Sequence, residues 1–322
     1  MFHLKNKDME ENNMSKQILL AYPRGFCAGV RRALDTVDKV LKISGAPVYV
    51  FHEIVHNDYI VKNLRSRGVF FVESLDAVPS GATLIFSAHG VSRQLETEAA
   101  TRGIKVIDAT CPLVKKIHRK AAEFQKKGMV IILIGHKGHP EIVGTFGQIE
   151  RGNGFVVEST ADVAALPELP EGRQVAYLSQ TTLSMDETRE IVDALKRRFP
   201  GIKGGGDICY ATQNRQNAVK ALCPGCGLII IIGSKNSSNS NRLQELAERN
   251  GCRSILIDGA KDLEGVDFTG IRNIGISAGA SAPECLVNEV MEFLKTHGWD
   301  KSSEARFAEE DVTFPLPDVK IR

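Results

Sequence analysis

Three times in 322 residues an apolar, strand-like run ends in a cysteine at the head of a helical pattern. The stretches are Gly25-Phe26-Cys27-Ala28-Gly29-Val30, Asp108-Ala109-Thr110-Cys111-Pro112 and Asp207-Ile208-Cys209-Tyr210-Ala211. Residues 18–22, 105–107 and, more weakly, 202–208 supply the strand character before each cysteine. Arg, Lys, Ala, Leu and Val at helical spacing follow each one. The cysteines are separated by the length of a small α/β unit, far more than a zinc knuckle allows, so the spacing predicts an internal repeat.

Short apolar strands alternate with helical segments from end to end, which is the pattern of parallel sheets with crossover helices. The expected fold is α/β, with three similar units at 16–104, 105–207 and 208–300, a polar N-terminal extension at 1–15 and a C-terminal arm at 301–322. The arm, with its Phe314-Pro315-Leu316-Pro317, is expected to lie extended on the surface. Ser184 with Glu187 reads as a capping box opening a helix over 185–199, and Ser281 with Glu284 as another.

Composition narrows the function classes. The 41 basic residues nearly cancel the 39 acidic ones. The pairs Arg31-Arg32, Lys115-Lys116, Lys126-Lys127 and Arg197-Arg198 sit on amphipathic helical patterns. They read as solvated helix faces, so no nucleic-acid partner is expected. No apolar run approaches the roughly 20 residues of a membrane helix, and no membrane partner is expected. Residues 1–16 are polar with no apolar core, hence not a signal peptide, and Met14 is an alternative start. Seven cysteines, an odd number without secretory signals, point to a reducing, cytoplasmic setting and to metal-binding or catalytic thiols.

Parallel α/β sheets place ligands at the carboxyl ends of their strands. The first unit presents there Cys27, then His52-Glu53-Ile54-Val55-His56, then Ser87-Ala88-His89-Gly90. The second presents Cys111, then the loop from Gly135 through His136, His139 and Pro140 to Glu141, then Ser179-Gln180-Thr181-Thr182. The third presents Cys209, then the Ser/Asn loop 233–241, then Ser277-Ala278-Gly279-Ala280-Ser281. If the units pack about a pseudo-threefold axis, these corners face one another around one site.

Three thiolates from separate units suit an iron–sulfur cluster that keeps one iron free. A Cys₃ zinc site with an open position is the competing reading, and small buried thiols the bland one. His56, His89, His139 and the Ser237-Ser238-Asn239 loop look like a cradle for a polyanion, although Ser and Asn before a helix also serve as plain caps. Glu141 reads either as a charge at a helix start or as a proton donor paired with Thr181 and Thr182. The letters His-Glu-x-x-His fail as a zinc-protease motif, because residues 48–52 form a strand. Cys223-Pro224-Gly225-Cys226 lies at the opposite end of its sheet and reads as a turn with two incidental thiols, and Cys252 and Cys285 read as packing residues.

The motifs GFCAGV, HEIVHN, FSAHGVS, DATCPLV, GHKGHPE, SQTTLS, DICYATQNRQ, GSKNSSNSNRL and SAGASAPE, in this order over nearly the whole chain, resemble the 4-hydroxy-3-methylbut-2-enyl diphosphate reductase family. This family catalyses the last step of the methylerythritol phosphate route to isoprenoids. The resemblance implies a trefoil of three α/β units around a central 4Fe–4S cluster. It matches Cys27, Cys111 and Cys209 to the cluster ligands. It also matches His56, His89, His139, Ser237, Ser238, Asn239 and Ser281 to groups that hold the diphosphate, and Glu141 and Thr181 to those serving the substrate hydroxyl. The implied reaction is a reductive dehydration giving isopentenyl and dimethylallyl diphosphates, fed by a reduced donor such as ferredoxin or flavodoxin. A monomer is expected. The leader before Met14 and the Cys223/Cys226 pair are outside the family's pattern. Two other classes stay open: a cluster-bearing sensor of a phosphorylated metabolite, and a zinc hydrolase of a diphosphate.

Overall fold

The computed structural model describes residues 16–169, 172–205 and 208–319. The polar leader with Met14, Gly206 and Asp207 before the third cysteine, and Pro170-Glu171 in the acidic loop lie outside the described residues. In chain order the described elements are β1 (Gln17–Tyr22), α1 (Ala28–Ser44), β2 (Val48–Phe51), α2 (Asp58–Ser66), β3 (Val69–Val72), β4 (Thr83–Phe86), α3 (Arg93–Thr101), β5 (Lys105–Asp108), α4 (Pro112–Lys126), β6 (Val130–Ile134) and α5 (Pro140–Phe146). They continue with β7 (Gly154–Val157), α6 (Thr160–Ala165), β8 (Val175–Ser179), α7 (Met185–Arg198), β9 (Lys203–Gly204), α8 (Tyr210–Leu222), β10 (Leu228–Ile232), α9 (Ser238–Arg249), β11 (Ser254–Ile257), β12 (Asn273–Ala278), α10 (Glu284–Thr296) and β13 (Lys301–Arg306).

The chain divides into two compact units. The larger comprises Cys27–Gln213 with the tail from Asp311. It holds two four-stranded parallel sheets, ordered β3-β2-β4-β5 and β7-β6-β8-β9. Continuous branched aliphatic sequence is what a strand covered on both faces requires, and the five residues of β6 are all buried. Successive side chains of a strand point to opposite faces. Accordingly Ile132 and Ile134 join a cluster with Val157 and Leu195, while Ile131 and Leu133 pack with Ile117, Ile142 and Leu178.

The smaller unit comprises the chain up to Phe26 with Asn214–Glu310. Its five-stranded parallel sheet is ordered β11-β10-β12-β1-β13. In β10, Ile230 and Ile232 face a cluster with Val287 and Trp299, and Ile229 and Ile231 face one with Ala218 and Leu243.

Three parallel sheets with crossover helices are the α/β architecture expected, but strand membership differs from the sequence reading by one. The strand 17–22, read as the start of the first unit, pairs with β12 and β13 of the smaller unit's sheet. The strand before Cys111, read as the start of the second unit, pairs with β4. The short β9 before Cys209 pairs with β8. Each cysteine therefore follows the fourth strand of a sheet with one repeated order, in which β1 takes the place that β5 and β9 take elsewhere.

Two further expectations are corrected. The arm is extended as expected, but its first residues form the fifth strand of the smaller unit's sheet, with β13 lying parallel to β1 from Gln17↔Lys301 to Tyr22↔Arg306. The Ser281–Glu284 capping box does not form. Pro283 occupies the N-cap of α10, and Glu284 instead receives Arg24 at 2.6 Å. Ser184 does cap its helix, accepting from Glu187 N at 3.3 Å.

Candidate active site

In the larger unit each cysteine is held by backbone bonds at a helix start. Cys111 is the N-cap of α4, its amide donating to Ala88 O at 3.0 Å and its carbonyl receiving Lys115 N at 2.9 Å. Cys27 is the N-cap of α1 and accepts Arg31 N at 3.0 Å. Cys209 N donates to Thr181 O at 3.1 Å, while Thr212 N donates to the Cys209 Sγ at 3.4 Å. Burial pushes the Cys111 thiol up to about 12, aided by the charges of Cys27 and Cys209 and opposed by the Leu113 and Val114 amides. Burial likewise takes Cys209 to about 11, with Cys27 adding to the rise and Thr212 opposing it.

The three sulfurs thus sense one another, and bare thiolates there are costly without a cation. A Cβ on Gly29 would come within 2.7 Å of Cys111 Sγ and 3.8 Å of Cys27 Sγ, so only hydrogen fills that side. Among the described residues no three His, Cys, Asp or Glu side chains form the cage of a single metal ion. Three soft sulfur donors, with amides directed at the Cys111 and Cys209 sulfurs, have the chemistry that suits an iron–sulfur group.

Three imidazoles gather in the same unit. His56 and His89 stack with centroids 4.2 Å apart, and His139 meets them edge-on at 5.5 and 5.8 Å. Gly144 makes the approach possible, because a Cβ there would lie 3.1 Å from the Gly90 carbonyl. Burial, then repulsion from neighbouring imidazoles, lowers His89 well below the usual histidine range and takes His139 to about 3. His139 Nδ1 accepts Glu141 N at 3.1 Å, which leaves the neutral ring's proton on Nε2 as a donor. His56 Nδ1 lies 3.1 Å from Glu53 Oε2. His52 turns away on left-handed backbone to meet Glu73, so the two histidines of His-Glu-x-x-His do not converge.

Glu141 lies in the first turn of α5 and is 2% exposed. Its Oε1 accepts Thr181 N at 2.7 Å, and its Oε2 accepts the Thr181 hydroxyl at 2.8 Å. Burial raises the carboxyl to about 7, although both Thr181 bonds act the other way. Thr182, weighed with Thr181 in the sequence, instead receives Gln180 Nε2 at 2.8 Å.

In the smaller unit Ser237 is the N-cap of α9, accepting Ser240 N at 3.3 Å. Capping accounts for Ser237 but not for Asn239. That side chain is 4% exposed, and neither its Oδ1 nor its Nδ2 has a partner. A Cβ on Gly279 would touch Ser240 Oγ at 2.1 Å and Asn239 Nδ2 at 3.5 Å, so the loop after β12, which runs on to the buried Ser281, closes on the start of α9.

Some contributors were given no role in the sequence reading. Gln180, 1% exposed, accepts His136 N at 3.0 Å and so ties two ligand loops together. His118 lies on the Gly90 side of α4, where a Cβ on Gly90 would meet its ring at 2.7 Å. An imidazole within an amphipathic helix carries no signal that separates it from a solvated face. Cys285, read as a packing residue, is exposed, because the face that α10 buries is that of Leu286, Val287, Val290 and Leu294.

The LytB protein family model matches residues 18–295. The chain is 53% identical over 306 residues to the 4-hydroxy-3-methylbut-2-enyl diphosphate reductase of Pseudomonas aeruginosa, covering 94% of this chain and 97% of that one. The enzyme of the same name from Pseudomonas syringae pv. tomato is also 53% identical, with the same coverage. Among solved structures, the E-1-hydroxy-2-methyl-but-2-enyl-4-diphosphate reductase of Plasmodium falciparum matches with a TM-score of 0.90 and 38% identity, over 94% of this chain and 96% of that one. A second, described as (E)-4-hydroxy-3-methyl-but-2-enyl diphosphate reductase, the terminal enzyme of the non-mevalonate pathway, matches with a TM-score of 0.64 and 34% identity, over 87% of this chain and 99% of that one.

Proposed function

The chain belongs to the LytB protein family, and from that membership we propose that it reduces 4-hydroxy-3-methylbut-2-enyl diphosphate, with two electrons and two protons, to water and isopentenyl or dimethylallyl diphosphate. Cys27, Cys111 and Cys209 are the residues that would hold a 4Fe–4S cluster. With three protein ligands, such a cluster would supply single electrons and, through its iron without a protein ligand, Lewis acidity. A reduced carrier such as ferredoxin or flavodoxin would refill it. No helix among the described residues is long and apolar enough to cross a membrane, and we assign the enzyme to the cytoplasm as a monomer.

The chain's own groups divide the remaining work. His56, His89 and His139 receive the diphosphate, and for His89 and His139 an anion alongside offsets the burial cost that keeps their rings uncharged. Ser237, Ser238, Asn239 and Ser281 supply uncharged donors to the same group. Glu141 moves the proton. Near neutral pH its carboxyl is partly protonated, so it can pass a proton to the Thr181 oxygen while the Thr181 hydroxyl donates onward to the leaving hydroxyl.

The observation that carries the reading is this buried carboxyl, held at both oxygens by Thr181 and poised at about 7. A sensor without turnover has no need of it. Anaerobic purification followed by iron and sulfide counts, an EPR spectrum and an assay with reduced donor tests the whole. A brown protein that turns over the substrate is expected. An iron-free, zinc-bearing protein that hydrolyses the diphosphate would overturn the reading.

A further inference from the structure

Arg32, which the sequence offers as half of a solvated pair, and Arg215 are almost wholly buried, and each reaches a backbone carbonyl just ahead of a ligand cysteine. In the larger unit, Arg32 on α1 is 7% exposed. Its Nη1 donates to Thr110 O at 3.0 Å, and its Nε donates to Pro315 O in the tail at 2.8 Å. Thr110 immediately precedes Cys111 and is itself 3% exposed. The Thr110 amide is fixed as well, donating to Asp108 Oδ1 at 2.9 Å, and Asp108 is in turn paired with Lys115 at 2.5 Å. Both backbone polar groups of Thr110 are therefore pinned by side chains.

In the smaller unit, Arg215 on α8 is 0% exposed. Its Nε and Nη2 donate to Gly25 O at 3.1 and 2.7 Å, two residues before Cys27. Its Nη1 donates to Glu310 Oε1 at 3.0 Å, and Asn214 Nδ2 reaches the same oxygen at 3.1 Å. A buried guanidinium requires a counter-charge, and Glu310 supplies it.

Glu310 and Pro315 stand close together in a tail without regular structure from residue 307 to 319. We infer that this C-terminal strap is part of the frame holding the ligand cysteines, with Arg32 and Arg215 as positioning residues that link it to the Cys111 and Cys27 corners. A planar guanidinium can bridge two carbonyls at fixed angles, which an ammonium cannot. Cutting the strap frees each arginine to swing and leaves the corner carbonyl without its donor. The inference rests on the cluster reading above.

The test uses the full chain, a chain ending at Asp311, which removes Pro315 but keeps Glu310, the Arg32→Lys variant, and the two changes combined. For anaerobically loaded protein the readout is the rate of iron release to a chelator. For cluster-free protein it is the alkylation rate of each cysteine by mass spectrometry. Each single change is expected to speed iron release and Cys111 alkylation on the order of 10-fold. The combination should do no more than either alone, because both cut one link, and Cys209 should react at its wild-type rate. Glu310→Gln is expected to speed Cys27 alkylation in the same way. Wild-type rates in the truncated chain, multiplying effects, or Cys209 rising in step with Cys111 would overturn the strap. A full-length protein that holds no iron would overturn the cluster reading instead, while the alkylation rates still decide the strap.

Discussion

At the scale of single residues the site is built from groups kept in costly states. Glu141, raised to about 7 by burial, keeps a transferable proton below that pH and loses it above. The kcat/KM of the wild type should fall as pH rises through about 7. Glu141→Gln should abolish that limb, keep the cluster and near-normal binding, and lower kcat on the order of 10²-fold or more. The sign of the stability effect is the same. A carboxyl whose folded pKa is raised contributes stability fully below its unfolded value near 4.5, which is lost as pH rises through about 7. The Gln variant should therefore melt higher than wild type at pH values above 7, as calorimetry will show. Asn239 is costly in another way, because its buried amide has no partner. Asn239→Ala should leave the free protein as stable or more so, since a desolvated unpaired amide costs about 1–3 kcal/mol. The same change should weaken binding of inorganic pyrophosphate by about 1.5–3 kcal/mol in titration calorimetry. A drop in melting temperature with unchanged binding would return Asn239 to a structural role.

Elements set the distances among those residues, and here glycines matter. Gly29 sits in the first turn of α1, where alanine ordinarily favours a helix by about 1 kcal/mol. Its Cβ, however, would lie 2.7 Å from Cys111 Sγ. Gly29→Ala must therefore displace the Cys111 thiol, so the variant should melt no higher than wild type in the cluster-free state despite its better helix residue and should retain little iron, read by metal analysis beside a thermal scan. What the sequence revealed follows the same division. Strands such as β6 and β10 were legible because isoleucine and valine runs bounded by turns have few other uses, and the cysteine corners because they recur. Sheet membership was not, since no local pattern tells whether a strand before a cysteine closes one sheet or opens the next. Glu141 with Thr181 was readable as a pair, whereas the split between Thr181 and Thr182 depends on which face of the strand end meets α5. Arg32 looked like half of a solvated pair, because the carbonyls that bury it come from residues 110 and 315, far away in sequence.

For the whole molecule, the thiols sort by position. Cys223 and Cys252 join the core of the smaller unit, and Cys226 packs beside them at the start of β10. Cys252 Sγ donates to Cys226 O at 3.3 Å, and Cys223 Sγ donates to Val219 O at 3.2 Å, so these thiols serve as small apolar groups with local hydrogen bonds. Burial pushes Cys223 and Cys226 up to about 12, which makes them inert. Cys223→Ser with Cys226→Ser should leave iron content and turnover unchanged while lowering the melting temperature by a few degrees, and loss of colour would reassign the ligands. The smaller unit also joins distant parts of the chain, because β1 is sandwiched between β12 and β13. On the ribosome, where synthesis runs at about 5–20 residues per second, β1 emerges tens of seconds before either neighbour exists. Throughout that interval an isoleucine- and leucine-bearing strand edge waits without partners. The newborn chain is then most exposed to aggregation, and a holdase that shields residues 17–22 until β12 and β13 arrive would raise the yield of folded protein more than one acting on any later strand.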